Sequence, residues 1–401
     1  MLTSVASCSS DGDNVDPRQE ESIKSENMFT FELFKKAALE DTQKNKDNTL
    51  VSPLSINLAL KMLVNGAEGE TKEELLKVLG VPNLSEKQIN EHSKTLSNAL
   101  MSADPETSLS IANSIWYKTG LSVKEAFIQT NKIYYDAEVI AIDFLSEDAI
   151  STINKWCADK TNNNIPTALN ALSDLSMMLL INALHFKSDW SDGYEFNERT
   201  TFKEPFYMAT GSTEEVDMMR QTSTFLYKSD GDARYLTIPF GNKAYNMTIV
   251  LPNEGKTVQD VLDNVDYESS WITSDDMTER KVYLTLPKFK MDFSYEMQNY
   301  VLPEMGMKIA FSEKANFNSI SDIPLLVSKV LHKTTIEINE AGTEAGATTI
   351  VELEVTADGG GNGEPIVEII DYLVNKPFVF SISESSTGAV LFIGKIDKIL
   401  K

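Results

Sequence analysis

The sequence predicts an α+β fold. Three observations carry this: helix start and stop signals crowd the first quarter of the chain, β-branched and aromatic runs dominate the rest, and the two classes do not alternate as βαβ units would. No internal repeat and no second linker interrupts the pattern.

The first 26 residues stand apart as an acidic tether, because "SSDGDNVDPRQEESIKSE" has almost nothing to bury. Before it, Val5-Ala6-Ser7-Cys8 resembles a bacterial lipobox, which makes Cys8 a lipidation candidate and points to a lipoprotein leader, an extracellular or cell-surface location and attachment to an outer membrane. Only seven residues precede Cys8, short of the charged start and the apolar segment of roughly 7–15 residues of a signal peptide. Two readings stay open, a truncated start and a chance match. The "SDGDNVD" string lacks the twelfth-position Glu of an EF-hand loop, so a solvated tether is the safer reading and no metal is expected.

Residues 27–401 read as one domain. In "SPLSINLALKMLVNGAEGETKEELLKVLG", Ser52 and Pro53 open a helix that Gly66 closes; Thr71 with Glu74 makes a capping box for a second, which Gly80 stops. Ser85 and Gln88 box a third, with Ile89, His92, Leu96 and Leu100 on one face. Strand runs follow: "SLSIANSIWY", "MMLLINALHF", "RYLTIPF", "AYNMTIVLP", "KVYLTLPKF", then "PFVFSIS" and "AVLFIGKI" around the turn "ESSTG".

Composition narrows the function. A formal net charge of -24 and a pI near 4.6 repel phosphate backbones, so nucleic acid is an unsuitable partner while basic proteins are attracted. No run approaches the length of a membrane-spanning helix. Two cysteines, Cys8 and Cys157, make no disulfide framework. Catalytic motifs are absent: no G-x-S-x-G, H-E-x-x-H, C-x-x-C or G-x-x-x-x-G-K. Of the three histidines, His92 and His185 read as packed structural residues, and Cys157 as a buried helical thiol. No cofactor is expected and an enzyme is the poorer reading.

One stretch asks for another explanation. In "EAGTEAGATTIVELEVTADGGGNGEP", from Glu340 to Pro365, alternate residues from Thr343 are small or apolar: Ala345, Ala347, Thr349, Val351, Leu353, Val355. That is the period of a half-buried strand, written with Gly and Ala, which are poor strand formers, and running into a glycine-rich loop. An ordinary hairpin strand would favour large β-branched residues from its start.

Several segments in order carry a resemblance to the serpin family, over roughly Ser25 to Ile399. "NTLVSPLSINLALKMLVNGAEGETKEELLKVLG" resembles its N-terminal helix pair. "LLINALHFKSDW" resembles its L-x-N-A-x-x-F-K-x-x-W strand, with Asn182, Phe186, Lys187 and Trp190 in place. "LPKF", "LPEMGM" and "KANFNSIS" are similar to the middle signatures. "KVLHKTTIEINEAGTEAGATT" resembles the strand and hinge before the reactive loop, and "NKPFVFSISESSTGAVLFIGKI" the C-terminal signature.

The resemblance implies N-terminal helices with three β-sheets, an exposed reactive-centre loop at about 340–363, and a monomer that inhibits a serine or cysteine protease. A cut near the loop's end would let the freed segment enter the central sheet as a strand. Glu340, Gly342, Thr343, Ala345 and Ala347 map to the hinge, Ser52, Ser55, Asn182 and His332 to the polar shutter beneath the opening sheet, and Trp190 to the breach at its top. The family spacing, counted as 17 residues inclusively from Glu340, puts the cleaved bond at Thr356-Ala357, with Val355-Thr356 as the alternative. A small residue preceded by Val suits elastase-like or subtilisin-like proteases, and the apolar second place papain-like ones. Trypsin-like targets are disfavoured: no Lys or Arg lies between Lys333 and Lys376, while nine acids do. The 22 residues from Ala357 to Phe378 exceed what the family implies and allow several registers of cleavage. A non-inhibitory serpin serving as a binding module is the alternative.

Overall fold

The computed structural model describes residues 17–173, 176–264, 276–343 and 368–399, with side chains from residue 25 onward. Among these residues eight helices and fourteen strands alternate in blocks. The helical start comprises α1 (Pro17–Gln43), the short β1 (Thr49–Val51), α2 (Pro53–Val64), α3 (Gly69–Val78) and α4 (Glu86–Ser102). Then come β2 (Ser108–Lys118), α5 (Glu125–Tyr135), β3 (Glu138–Ile142), α6 (Ala149–Lys160), β4 (Met178–Lys187), β5 (Phe202–Tyr207), β6 (Thr213–Ser229), β7 (Ala233–Phe240) and β8 (Tyr245–Pro252). The remainder is α7 (Val258–Asn264), β9 (Thr278–Pro287), β10 (Phe289–Glu296), α8 (Val301–Glu304), β11 (Leu331–Ile338), β12 (Ile370–Leu373), β13 (Phe378–Glu384) and β14 (Val390–Ile396).

Strand composition decides which sheet each run joins. β13 and β14 are buried at every position, and most of their residues are apolar, as strands covered on both faces tend to be, with Ser381, Ser383, Glu384 and Lys395 as buried polar exceptions. They lie near one end of a sheet ordered β1-β14-β13-β8-β7-β6-β9-β12, with β5 added on β6. β10 and β11 alternate buried with exposed or half-buried residues and pair antiparallel, Phe289 opposite Ile338 and Glu296 opposite Leu331. The third sheet runs β3-β2-β4. β4 serves two cores: Met178, Leu184 and Phe186 join the main one, whereas Leu179, Ile181 and Ala183 pack with Trp116, Ile153, Trp156 and Cys157.

Local signals held at some helix ends and failed at others. The Ser85–Gln88 capping box of α4 is present. Ser52 sits at the start of α2, but its hydroxyl makes no cap bond and donates to Ser55 Oγ at 3.1 Å. Thr71 and Glu74 form no capping box, because α3 begins two residues earlier with Glu68 at its cap. Both side chains serve long-range contacts instead: Thr71 Oγ1 accepts from Asn316 N at 2.9 Å, and Glu74 accepts from the amides of Lys308 and Ile309. The helix α1 starts at Pro17, inside the segment that composition alone reads as tether.

Candidate functional site

The three-stranded and two-stranded sheets lie edge to edge, β4 beside β11, running parallel. Among the described residues they share a single bridge, Leu180–Val330, and no ladder joins them above it. Unpaired strand edges ordinarily demand a partner, so the two edges define a slot with its foot at that bridge.

At the head of the slot the chain turns back. Beyond β11, Asn339 N donates to Gly342 O at 3.0 Å, while Asn339 Oδ1 accepts from Ala341 N and Gly342 N, closing a tight turn over Glu340 and Ala341. Two outside amides fix the turn, Trp190 N on Ala341 O at 2.8 Å and Phe196 N on Glu340 O at 3.1 Å. Gly342 then faces Asp189 antiparallel. Its φ of +148° suits glycine, and a Cβ there would lie 2.2 Å from Ser188 O. Thr343 is buried against Ser188 by three bonds: Thr343 N on Ser188 O at 2.9 Å, Ser188 N on Thr343 Oγ1 at 2.8 Å, and Thr343 Oγ1 on Ser188 O at 3.2 Å.

Glu340 anchors this turn electrostatically. Its side chain is 6 % exposed, paired with Lys288 Nζ at 2.7 Å and accepting from Thr201 Oγ1 at 2.8 Å. Burial pushes its carboxyl up, but the bonds from Lys288 and Thr201 outweigh it and hold the group below the usual glutamate range. Trp190 lies beneath, stacked on Phe240 at 4.4 Å and donating Nε1–H to Asn339 O at 3.0 Å. Trp190, expected at the breach, is therefore hydrogen-bonded to the turn after β11 itself.

The four residues expected at the shutter fall into two groups. His332 Nε2 accepts from Ser52 N at 3.0 Å, Ser52 meets Ser55, and Tyr295 stacks on the imidazole at 6.5 Å. Burial drives the imidazole pKa down to about 3, so the ring is neutral and carries its proton on Nδ1. Asn182, across the slot on β4, does not join them. It donates to Asn113 Oδ1 at 2.7 Å, and its own Oδ1 has no partner among the described residues. Thr334 Oγ1, on β11, is likewise buried without one.

The remaining sequence candidates lie outside the described residues: Ala345, Ala347, Val355, Thr356, Ala357 and Cys8. Elsewhere His92 Nε2 lies 3.3 Å from Glu26 Oε1, His185 Nδ1 meets Asn164 Nδ2 at 2.9 Å, and burial pushes the Cys157 thiol up to about 12. Among the described residues no group of His, Cys, Asp and Glu could hold a metal, and no helix is long and apolar enough to cross a membrane. Sequence reasoning missed Lys288, Thr201, Asn339 and Ser188. Asn339 acts within its own turn, whereas Lys288, Thr201 and Ser188 reach the turn only through the fold.

Comparison with known proteins agrees with this geometry. The family model described as serpin (serine protease inhibitor) matches residues 24–399. An uncharacterized serpin-like protein of Thermococcus kodakarensis is 35% identical over 376 residues, 92% of this chain and 84% of that one. Among solved structures, tengpin, a thermophilic serpin in its native state, superposes with a TM-score of 0.84 at 31% identity, covering 96% of this chain and 95% of that one. Human thyroxine-binding globulin in complex with thyroxine gives 0.84 at 26% identity, covering 96% of this chain and 100% of that one.

Proposed function

The chain belongs to the serpin family, and from that premise we propose that it is a suicide-substrate inhibitor that traps an elastase-like, subtilisin-like or papain-like protease by inserting its cut loop into the slot between β4 and β11.

The observation that carries this reading is a match of register and parity. From Asp189, which faces Gly342, back to Leu180 is nine residues; from Asn339, which also faces Gly342, back to Val330 is again nine. A loop continuing antiparallel from Gly342 therefore brings Val351 level with the Leu180–Val330 bridge when counted along either flank. In that register Thr343, Ala345, Ala347, Thr349 and Val351 fall opposite Ser188, Phe186, Leu184, Asn182 and Leu180 on β4 and its extension. On β11 and Val330 before it, the same residues face Ile338, Ile336, Thr334, His332 and Val330. Phe186, Leu184, Ile338, Ile336 and Val330 belong to the main core, so the small and apolar loop positions all point inward. Glu344 falls on the other face, level with Lys187. Thr349 arrives beside the orphaned Asn182 Oδ1 and supplies a hydroxyl where a partner is lacking.

The chemistry is the protease's. Its serine or cysteine attacks the carbonyl carbon of Thr356, the Thr356-Ala357 bond breaks, the Ala357 amine leaves protonated, and an acyl-enzyme remains. Hydrolysis of that ester, or of the thioester where the nucleophile is cysteine, competes with insertion. A strand entering between two edges pairs on both sides, and with about 0.5–1.5 kcal/mol net per bond, some 13 residues contribute on the order of 10–20 kcal/mol before ordering costs. That rivals the roughly 5–15 kcal/mol of a whole domain, so the uncut fold is a kinetic trap. If insertion wins, the protease is displaced with its active site distorted. A place outside the cell, tethered through Cys8, belongs to the same proposal.

The test is incubation with elastase-, subtilisin- and papain-like proteases followed by denaturing gels. The expected result is a covalent complex, with the released amine terminus at Ala357. Cleavage without a complex, and without any rise in melting temperature, would instead favour a binding module; the likeness to a protein solved with thyroxine supports that second reading.

A further inference from the structure

Thr343 is held wholly through Ser188, and Ser188 is itself held by a buried relay that the hinge reading does not account for. Ser188 Oγ lies 2.6 Å from Thr107 Oγ1, and Thr107 Oγ1 lies 2.7 Å from Asp104 Oδ2. A carboxylate only accepts, so Thr107 donates to Asp104 and Ser188 must donate to Thr107. The chain of donors thus runs one way, from the slot's head to a buried charge.

That charge is fixed in turn. Asp104, 2 % exposed, also accepts from Glu106 N at 2.9 Å and Asn242 N at 3.1 Å. The turn after β7 closes over it: Gly241, at φ +48°, has no room for a Cβ, which would lie 1.9 Å from Asp104 Oδ2. Gly241 N also donates to Asp189 O at 2.9 Å, so the same turn holds the residue that faces Gly342. Three segments, the α4–β2 loop, the β7–β8 turn and the end of β4, therefore meet on the two residues that receive the hinge.

We infer that Asp104, Thr107 and Ser188 are positioning residues that hold Thr343 in the register of an inserting strand before any cut, and so set how soon the freed loop begins to pair. The inference rests on the inhibitor reading for its effect on trapping, but not for its effect on the hinge. The first pairs of the inserted strand already exist in the uncut protein. Their ordering cost is met in advance, and pairing after the cut propagates instead of starting afresh.

Ser188→Ala tests this cleanly, because the backbone amide and carbonyl that bind Thr343 remain and Thr107 still donates to Asp104. Two measurements are made on the full chain. In the uncut protein, hydrogen exchange of the Thr343 amide should quicken roughly tenfold, the scale of losing one bond in a charge-terminated chain. With a protease that the wild type traps, the number of inhibitor molecules consumed per protease trapped should rise several-fold, while the rate of loop cleavage is unchanged. Thr107→Val should repeat both effects from the other end of the relay, and Thr107→Ser, which keeps the hydroxyl, should restore wild-type values. Unchanged exchange at Thr343 in Ser188→Ala overturns the proposal. So does faster exchange with unaltered partition. If the wild type traps no protease at all, the inhibitor reading fails, and the exchange measurement alone decides whether the relay holds the hinge.

Discussion

Replacing Thr343 with arginine strikes the first pair of the inserting strand. The native side chain is 1 % exposed and shares three hydrogen bonds with Ser188. An arginine kept in place would bury an unpaired guanidinium at a cost of several kcal/mol. Lifting the hinge away instead forfeits the three bonds, about 1 kcal/mol each or ~3 kcal/mol together. The second course is the cheaper, so the hinge undocks. At tenfold in rate for each ~1.4 kcal/mol, insertion slows on the order of 100-fold, and hydrolysis of the acyl-enzyme has that much longer to win. The proposed reactive bond lies 13 residues further on, from Thr343 to Thr356, so recognition and cutting should proceed at the wild-type rate. The assay is a denaturing gel with amine-terminal sequencing: Thr343→Arg should run as cut monomer with little complex, and Thr343→Ser as wild type. A Thr343→Arg protein that still yields the wild-type amount of complex would refute the hinge argument.

Glu340→Gln removes the ion pair with Lys288 and should lower the stability of the uncut protein by about 1–3 kcal/mol in urea; because the native carboxyl titrates below its usual range, that contribution is present at neutral pH and is lost as pH falls through the depressed pKa. An unchanged unfolding midpoint would exclude Glu340 as a clamp. His332, depressed from an ordinary value near 6.5 to about 3, stabilises the fold above the upper value and loses that contribution on the way down. Between pH 7 and pH 5 the wild type should therefore lose about 2 kcal/mol more than His332→Gln, whose amide oxygen can still accept from Ser52; parallel stability curves would contradict this. Lys61, 2 % exposed and 2.7 Å from Glu26, neutralises a carboxyl that burial alone would push up and that is instead held near 2 by Lys61 and His92. Lys61→Met should cost about 3–5 kcal/mol, and adding Glu26→Gln should recover much of it, measured as a double-mutant cycle.

What the sequence disclosed depended on whether the signal was local. β4, β8, β13 and β14 were legible because strands buried on both faces must be written as long apolar runs. The Ser85–Gln88 box was legible because its partners are three residues apart. Thr71 and Glu74 have the same spacing, yet distant amides at Asn316, Lys308 and Ile309 outbid the helix terminus for them. The proposed hinge stood out in the sequence through its alternation and its family resemblance, and the described part of it, Glu340 to Thr343, forms a buried turn. Its holders did not stand out. Lys288, Thr201 and Ser188 touch this turn, and Asp104 reaches it through Thr107 and Ser188, at sequence separations of 52 (Glu340 to Lys288) to 239 (Thr343 to Asp104), and only the tertiary fold brings them together.

In the proposed mechanism, the bridge at the foot of the slot divides insertion into two physical stages. From Glu344 to Ile350 a freed loop meets two edges that no ladder joins, so each residue can gain pairing without breaking any between β4 and β11. From Val351 onward the Leu180–Val330 bridge must open before the five residues from Glu352 to Thr356 can enter. The side chains in that second stage are the larger ones, Val351, Leu353 and Val355, whose burial gives the most free energy per residue. The first stage is held to small residues, where entry must not be obstructed. A loop with this order fills the open part of the slot on pairing alone and reaches the closed part with its most apolar residues in place to offset the work of opening it. His332, held by Ser52, would then be level with Thr349 at the boundary between the stages, where the demand on exchangeable hydrogen bonds is greatest.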